Sequence, residues 1–369
     1  MSPATAPRLA LLSITLPVLA LWPGIRRPRT TVLVLVLWTA LASLWSSSPP
    51  DAVWGTWMVV LLALAIALGE ALAGLRQVWL GAGLGLVMNL PFVMFQFHIG
   101  QPSWSTMMQV APPAGLFVNK NMLAEAAAVV LAGAVAARMW PLVALSGYIV
   151  VVTECRGAIA GLGLAALAWV WRRSRVTACS LGLGCALTAA LWLALASPGL
   201  STTVRLAMWL ETTEHLSILG AGTGSFYHDF PMLQSALDTI HARPLHVHND
   251  YLELIYELGT PGLVAILALA WACRGAPLSV LAPLLTLAGS AAFAMPWRNP
   301  ATLLLGGLLL GHAMRLGTGL RGVSPLGRVG VSPYPGPEPD DRGGRPSRPT
   351  GSPMVPLGTP LPANPGRAI

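Results

Sequence analysis

Apolar residues along this chain fall in long blocks rather than in the alternation that a membrane β-barrel needs. Blocks long enough to cross ~30 Å of hydrocarbon recur from one end of the chain to the other. Eleven of them, at roughly 8–25, 31–46, 53–74, 78–97, 120–138, 140–154, 157–171, 176–197, 250–272, 277–295 and 300–315, predict membrane-spanning α-helices. The sixth and seventh are short for spanning, which predicts tilted, broken or mutually packed helices. The expected fold is therefore an all-α, polytopic membrane protein.

The polar breaks between blocks give an orientation. Arg26, Arg27 and Arg29, then Arg76, Arg138, then Arg172, Arg173 and Arg175, then Arg274 and Arg315 all fall on one side if every block crosses. The positive-inside rule makes that side cytoplasmic, which places the N-terminus outside and the C-terminus inside. The longest polar interruption, 198–249, then lies outside as one large loop. A signal-peptide reading of the first block is opposed by the basic cluster right behind it and by the lack of a small-x-small cleavage site.

Composition agrees. Hydrophobic residues make up 54% of 369 positions and charged residues 10%, where soluble domains carry about a quarter charged. The net charge of +8 is spread over loops and tail, so it is no nucleic-acid signal. Pro and Gly fill 23 of the 53 positions in 317–369, which cannot bury a core, and this sets a disordered inner tail apart from the 1–316 membrane domain. Cys155, Cys179, Cys185 and Cys273 form no Cys-x-x-Cys pair and read as small buried hydrophobes.

Against that background the exceptions carry information. Lys120, Arg156, Arg205, Arg243 and Arg298 are basic residues on the outer side, where they oppose the topology rule. An anionic ligand at that face is one reason for them, since guanidinium groups hold phosphate bidentately. Pairing with acidic residues such as Asp250 and Glu253 is the competing reason. In the outer loop, 202–210 predicts an interfacial helix anchored by Trp209. The Gly-rich run 220–224 suits either a phosphate-facing backbone or a plain turn.

The polar cluster His246-Val-His248-Asn249-Asp250 runs straight into the ninth block. Asp250 and Glu253 have capping-box spacing, which predicts a helix from Tyr251 with His248 and Asn249 just outside it. A histidine there can take a proton at neutral pH. Glu253 and Glu257, one turn apart, are placed to orient it or to pair with an outer arginine. The His246, His248 and Asp250 pattern also admits a metal. The chain has no Asp-x-Asp, its sole acidic pair being Asp340-Asp341 in the inner tail, so neither a metal nor any other cofactor is expected.

Four segments within 110–312 together resemble the O-antigen ligase and O-antigen polymerase superfamily. His248-Asn249, nine residues, then Gly259-x-x-Gly262 is similar to the ligase signature. Arg156 in Cys-Arg-Gly-Ala resembles the family's arginine at a helix start. Arg205-x-x-x-Trp209 followed by Gly-x-Gly-x-Gly-Ser-Phe resembles its outer-loop arginine segment. Phe117-Val-Asn119-Lys120-Asn121-x-Leu-Ala resembles its Asn-containing entry to a central helix. Family members typically have about twelve spans and both ends inside, so this chain departs by one span and by its long tail.

The resemblance implies a metal-independent glycosyltransferase of the GT-C kind in the bacterial inner membrane, its site facing the periplasm. The donor would be a glycan on undecaprenyl diphosphate and the acceptor lipid A–core; a polymerase adding repeat units is the alternative within the same superfamily. Arg156, Arg205 and His248 would be the essential set. Asn119, Lys120, Asn121, Asn249, Tyr251, Glu253 and Arg298 would contact substrate. A lipid-linked glycan transporter is a different class; the uncharged middles of the eighth, tenth and eleventh blocks argue against alternating access. Cysteines placed at Ser235 and Ser347 test the topology. An impermeant thiol reagent should label the first and not the second in cells with a permeabilised outer membrane.

Overall fold

A computed structural model describes residues 30–99, 113–117, 119–195, 200–233 and 246–317. The first predicted block, the arginine cluster behind it, Arg243 and the tail beyond 317 lie outside these. Every regular element among the described residues is helical. In chain order they are α1 (Thr30–Ala42), α2 (Pro49–Ala71), α3 (Arg76–His98), α4 (Lys120–Ala136), α5 (Trp140–Thr153) and α6 (Arg156–Trp171). These are followed by α7 (Arg175–Leu195), α8 (Leu200–Glu214), α9 (Phe226–Leu233), α10 (Asp250–Ala272), α11 (Leu278–Ala291) and α12 (Pro300–Gly317). Short 3₁₀ turns, Ser43–Trp45 and Pro296–Arg298, follow α1 and precede α12. Each predicted block within the described residues coincides with one helix to within about four residues, inside the usual boundary error.

By length and composition α2, α3 and α10 are apolar enough to cross a membrane; α5, α6 and α11 are apolar but shorter. The surface supports the same character. On α3, Leu80, Leu84, Val87 and Met88 are exposed, while Asn89 and Gln96 are buried. This inverts the soluble pattern of polar-out helices. The buried amides have partners in the segment before α4: Asn89 Oδ1 accepts the Leu116 N–H at 2.8 Å, and Gln96 Oε1 accepts those of Ala114 and Gly115, each at 2.8 Å. Irregular backbone is thus satisfied by side chains instead of water.

The tightest pairs are α6 with α11 and α2 with α12. Both depend on glycine. A Cβ on Gly161 would overlap the Thr286 carbonyl, and one on Gly311 the Ile66 carbonyl. Small residues let backbones touch where leucine burial gives little preference over lipid. Cys155 and Cys273 are buried, as expected for small hydrophobes, but Cys179 and Cys185 are exposed on α7, which packs on α6 and leaves its other face open.

α10 is broken. Gly259 takes φ 64° and ψ −159°, a region open essentially to glycine alone, and Pro261 follows with no N–H to give. The carbonyls this frees are satisfied from outside the helix. Tyr256 O accepts from Ala221 N at 2.8 Å, Glu257 O from Gly222 N at 3.0 Å, and Leu258 O from the Trp38 indole at 2.8 Å. In return the Thr260 N–H donates to Ile218 O at 2.9 Å. Residues 217–225 therefore serve as a replacement turn for the helix. Their Ala221 and Gly222 N–H groups point into α10, which decides the Gly-rich run in favour of a built turn over a phosphate cradle.

The bundle has two distinct ends. At one, the starts of α4, α10 and α12 meet: Asn299 Nδ2 donates to Met122 O at 3.1 Å, and the Trp297 N–H to Asp250 Oδ2 at 3.0 Å. At the opposite end Arg315 reaches the carbonyls of Glu70 and Ala73. Gly259→Ala should destabilise the chain by about 3 kcal/mol or more, from the forbidden backbone region plus an overlap of the new Cβ with the Ile218 carbonyl. Gly147→Ala, where a Cβ meets open space, should leave thermal unfolding in detergent unchanged. Equal midpoints for both variants would rule out the glycine-specific break.

Candidate functional site

The start of α10 builds the site. Asn249 caps the helix, its Oδ1 accepting the N–H groups of Tyr251 and Leu252, each at 3.1 Å. This corrects the capping-box expectation: the helix begins at Asp250, and Glu253 turns away from the cap. Glu253 faces back along the chain instead. Its Oε1 lies 2.8 Å from His246 Nδ1 and its Oε2 accepts the Val247 N–H at 2.9 Å. The carboxylate can only accept, so Nδ1 of His246 carries the proton and Nε2 is left basic.

Arg298 completes the cluster from the 3₁₀ turn before α12. Its Nη2 sits 2.8 Å from Glu253 Oε1 and 3.0 Å from Glu257 Oε2. Both carboxylates are buried, and they lie one turn apart on one face as their spacing requires. Burial works against the guanidinium charge, but Glu257, Glu253 and Asp250 outweigh it and raise the Arg298 pKa. Of the two reasons weighed for outer basic residues, Arg298 follows the ion-pair one.

The same cluster shapes His248. Val247 is held on both sides, its N–H by Glu253 and its carbonyl by the Trp209 indole at 2.9 Å. Trp209 is half-buried, and its indole fastens the histidine loop. His248 follows at φ 57°, a left-handed conformation rarely adopted by residues with a Cβ. Its imidazole has no hydrogen-bond partner among the described residues. Burial, then Arg205 and His246, lower its pKa from 6.5 to about 4, with Glu253 opposing. At neutral pH this imidazole is uncharged.

Arg205 on α8 is close enough to act electrostatically on both His248 and Cys155, and its Nη1 donates to Phe293 O at 3.4 Å. The start of α6 meets the same turn: a Cβ on Gly157 would lie 3.5 Å from that of Ala294 and 3.7 Å from that of Phe293. Arg156, beside Gly157, is exposed at this helix start. Cys155 is buried and its thiol pKa is raised by that burial, which leaves it no thiolate role. Asn119 caps α4 by accepting the Asn121 N–H at 2.8 Å, while Lys120 and Asn121 are half-buried. Tyr251 uses its hydroxyl on Ala288 O at 2.8 Å. The motif residues thus gather at one end of the bundle, but Asn119, Asn249, Tyr251 and Glu253 already hold the fold with their polar atoms.

Asp250 is buried on the Trp297 N–H, away from any shared geometry with the histidines. Among the described residues, no three His, Cys, Asp or Glu side chains are placed to hold a metal ion. Two buried acids were missed in the sequence. Glu125 lies within electrostatic reach of Asp250, and its Oε2 has no partner; Glu70 is buried near the end of α2. An acidic residue inside an apolar helix was the available signal. Beside the ion pairs lies a cavity of about 330 Å³, lined by leucines such as Leu254, Leu258 and Leu284 and by Asp250, Glu253, Glu257 and Arg298.

No protein-family model and no curated protein matches the chain. Arg298→Gln should leave Glu253 and Glu257 facing each other without a cation, a loss of about 3–5 kcal/mol. Thermal melting of the purified protein checks this, and a midpoint within a degree of wild type would show that the pair does not anchor the site.

Proposed function

We propose that this chain is a membrane glycosyltransferase that moves a glycan from undecaprenyl diphosphate to an acceptor hydroxyl, lipid A–core in the ligase reading, at the periplasmic membrane face. The observation that carries it is the pairing of Arg205 with an uncharged, half-buried His248 at one end of an apolar helical bundle. The acceptor O–H gives its proton to the His248 imidazole as its oxygen attacks the anomeric carbon. The bond from that carbon to the diphosphate oxygen breaks, and the diphosphate leaves with the electron pair. Arg205 and Arg156 offset its charge, which is the largest barrier to its departure. Direct displacement inverts the anomeric centre.

Two further features support the reading. A leucine-walled cavity beside the site suits a prenyl chain. The ion pairs of Arg298 and the Val247 bonds fix the histidine loop before substrate arrives, which lowers the cost of aligning the base. His246, held by Glu253 through Nδ1, is the rival for the role of base.

The test is glycan transfer by folded, membrane-inserted variants with donor binding followed in parallel. His248→Ala should lose about 10²–10⁴ in rate with donor binding kept. Arg156→Lys and Arg205→Lys should each lose transfer, since an ammonium keeps charge but not the planar fork. His228→Ala, exposed on α9, should behave as wild type. A lowered His248 pKa also sets the pH profile: kcat/KM reports the free enzyme, so its acidic limb should fall near pH 4 instead of 6.5. Full activity in His248→Ala with loss in His246→Ala would move the base to His246. Activity in both would remove the site from this place altogether.

A further inference from the structure

At the opposite end of the bundle lies a second polar cavity, of about 510 Å³, which the transfer reaction does not use. Arg76, Arg138 and Ser279 line it, Trp79 forms a wall, and His312 lies among them. Trp79 reaches this position because Gly133 on α4 has no side chain; a Cβ there would overlap the indole ring. No carboxylate lines the cavity.

Three helices begin around it, α3 at Arg76, α5 at Trp140 just after the lining Met139, and α11 at Leu278. The first N–H groups of a helix lack partners within it, so the three starts add positive potential to the two guanidinium groups. His312 supplies an independent observation. Its residue is 5% exposed, it makes a hydrogen bond to the Leu72 backbone, and its Nδ1 has no partner. A buried polar atom left unpaired costs free energy; with the ring N–H given to the Leu72 backbone, Nδ1 is an acceptor, and the O–H of a singly protonated phosphate or of a glycerol headgroup would supply its donor.

We propose that this cavity binds a phosphate group, carried either by an anionic lipid or by a soluble phosphate. Arg76 and Arg138 grip the phosphate oxygens, Ser279 donates its hydroxyl, and His312 closes the floor. The site is separate from the transfer site: it is lined by the start of α3 and the end of α4, at the end where α10 finishes and α11 begins. Basic pockets between helix ends are where membrane proteins hold anionic headgroups.

Native mass spectrometry of the purified full-length chain in detergent, with equal phosphatidylglycerol and phosphatidylcholine, measures the lipid arm. Calorimetric titration with inorganic phosphate measures the soluble arm. Phosphatidylglycerol retained over phosphatidylcholine, and lost about 30-fold in the Arg76→Gln/Arg138→Gln variant, supports the site with a lipid ligand. Phosphate binding that falls in the same variant, with no lipid preference, supports it with a soluble one. Both arginines are exposed, so the double variant should melt as wild type. Ser279→Glu, which sets a like charge in the cradle, gives a second route to the same loss. Neither ligand held by the wild type, or both held equally by the double variant and by Ser279→Glu, overturns the proposal.

Discussion

The contact between Arg298 and the two carboxylates of Glu253 and Glu257 sets the terms for everything around it. A buried carboxylate is costly unless a charge and hydrogen bonds replace water, and here a single guanidinium serves two of them. The pairing joins the start of α10 to the turn before α12, and the N–H of the adjacent Trp297 on Asp250 adds a second tie. Glu253 also offers one oxygen to His246 and the other to Val247, so the loop inherits its position from the carboxylate that Arg298 holds. Loss of the cation would loosen the histidines as a group.

The break in α10 follows the same logic in the backbone. Pro261 removes a donor and Gly259 turns the chain, so carbonyls 256 to 258 face outward unsatisfied by their own helix. Residues on the segment 217–225 and on α1 supply the missing donors. The motif Gly259-x-x-Gly262 is therefore a statement about chain geometry as much as about chemistry. The second glycine lies where a Cβ would meet Leu258 Cβ at 2.6 Å.

Much of the architecture was legible from hydrophobic blocks, because each helix that needs an apolar exterior announces itself by composition. The two-ended character was legible too: Arg76, Arg138 and Arg315 gather at one end, as their spacing implied. What escaped was long-range pairing. Nothing local to Arg298 distinguishes an arginine that meets two glutamates 41 and 45 residues earlier from one that meets a ligand. Asp250 and Glu253 were read as a capping pair, where Asn249 is the cap, because spacing alone cannot say which polar residue turns toward the helix. The bond of Trp209 escaped for the same reason: its partner, the Val247 carbonyl, is 38 residues away. Glu125 and Glu70 were visible as acids in apolar stretches, yet their burial depends on neighbours from other helices.

The inverted surface of α3 has a consequence for how the chain is made. Synthesis runs from the N-terminus, so in a membrane-spanning α3 Asn89 and Gln96 would enter the bilayer before the backbone N–H groups they accept exist. Until residues 113–117 fold back, the acceptor oxygens of Asn89 and Gln96 lack the N–H groups of Ala114, Gly115 and Leu116. Insertion must therefore be driven by the leucines and phenylalanines on its outer face, and the amides act later as a latch that draws the following segment against it. Maturation of this half of the bundle is then a stepwise event, in which a helix first pays for two polar groups and recovers that cost only when its successor arrives.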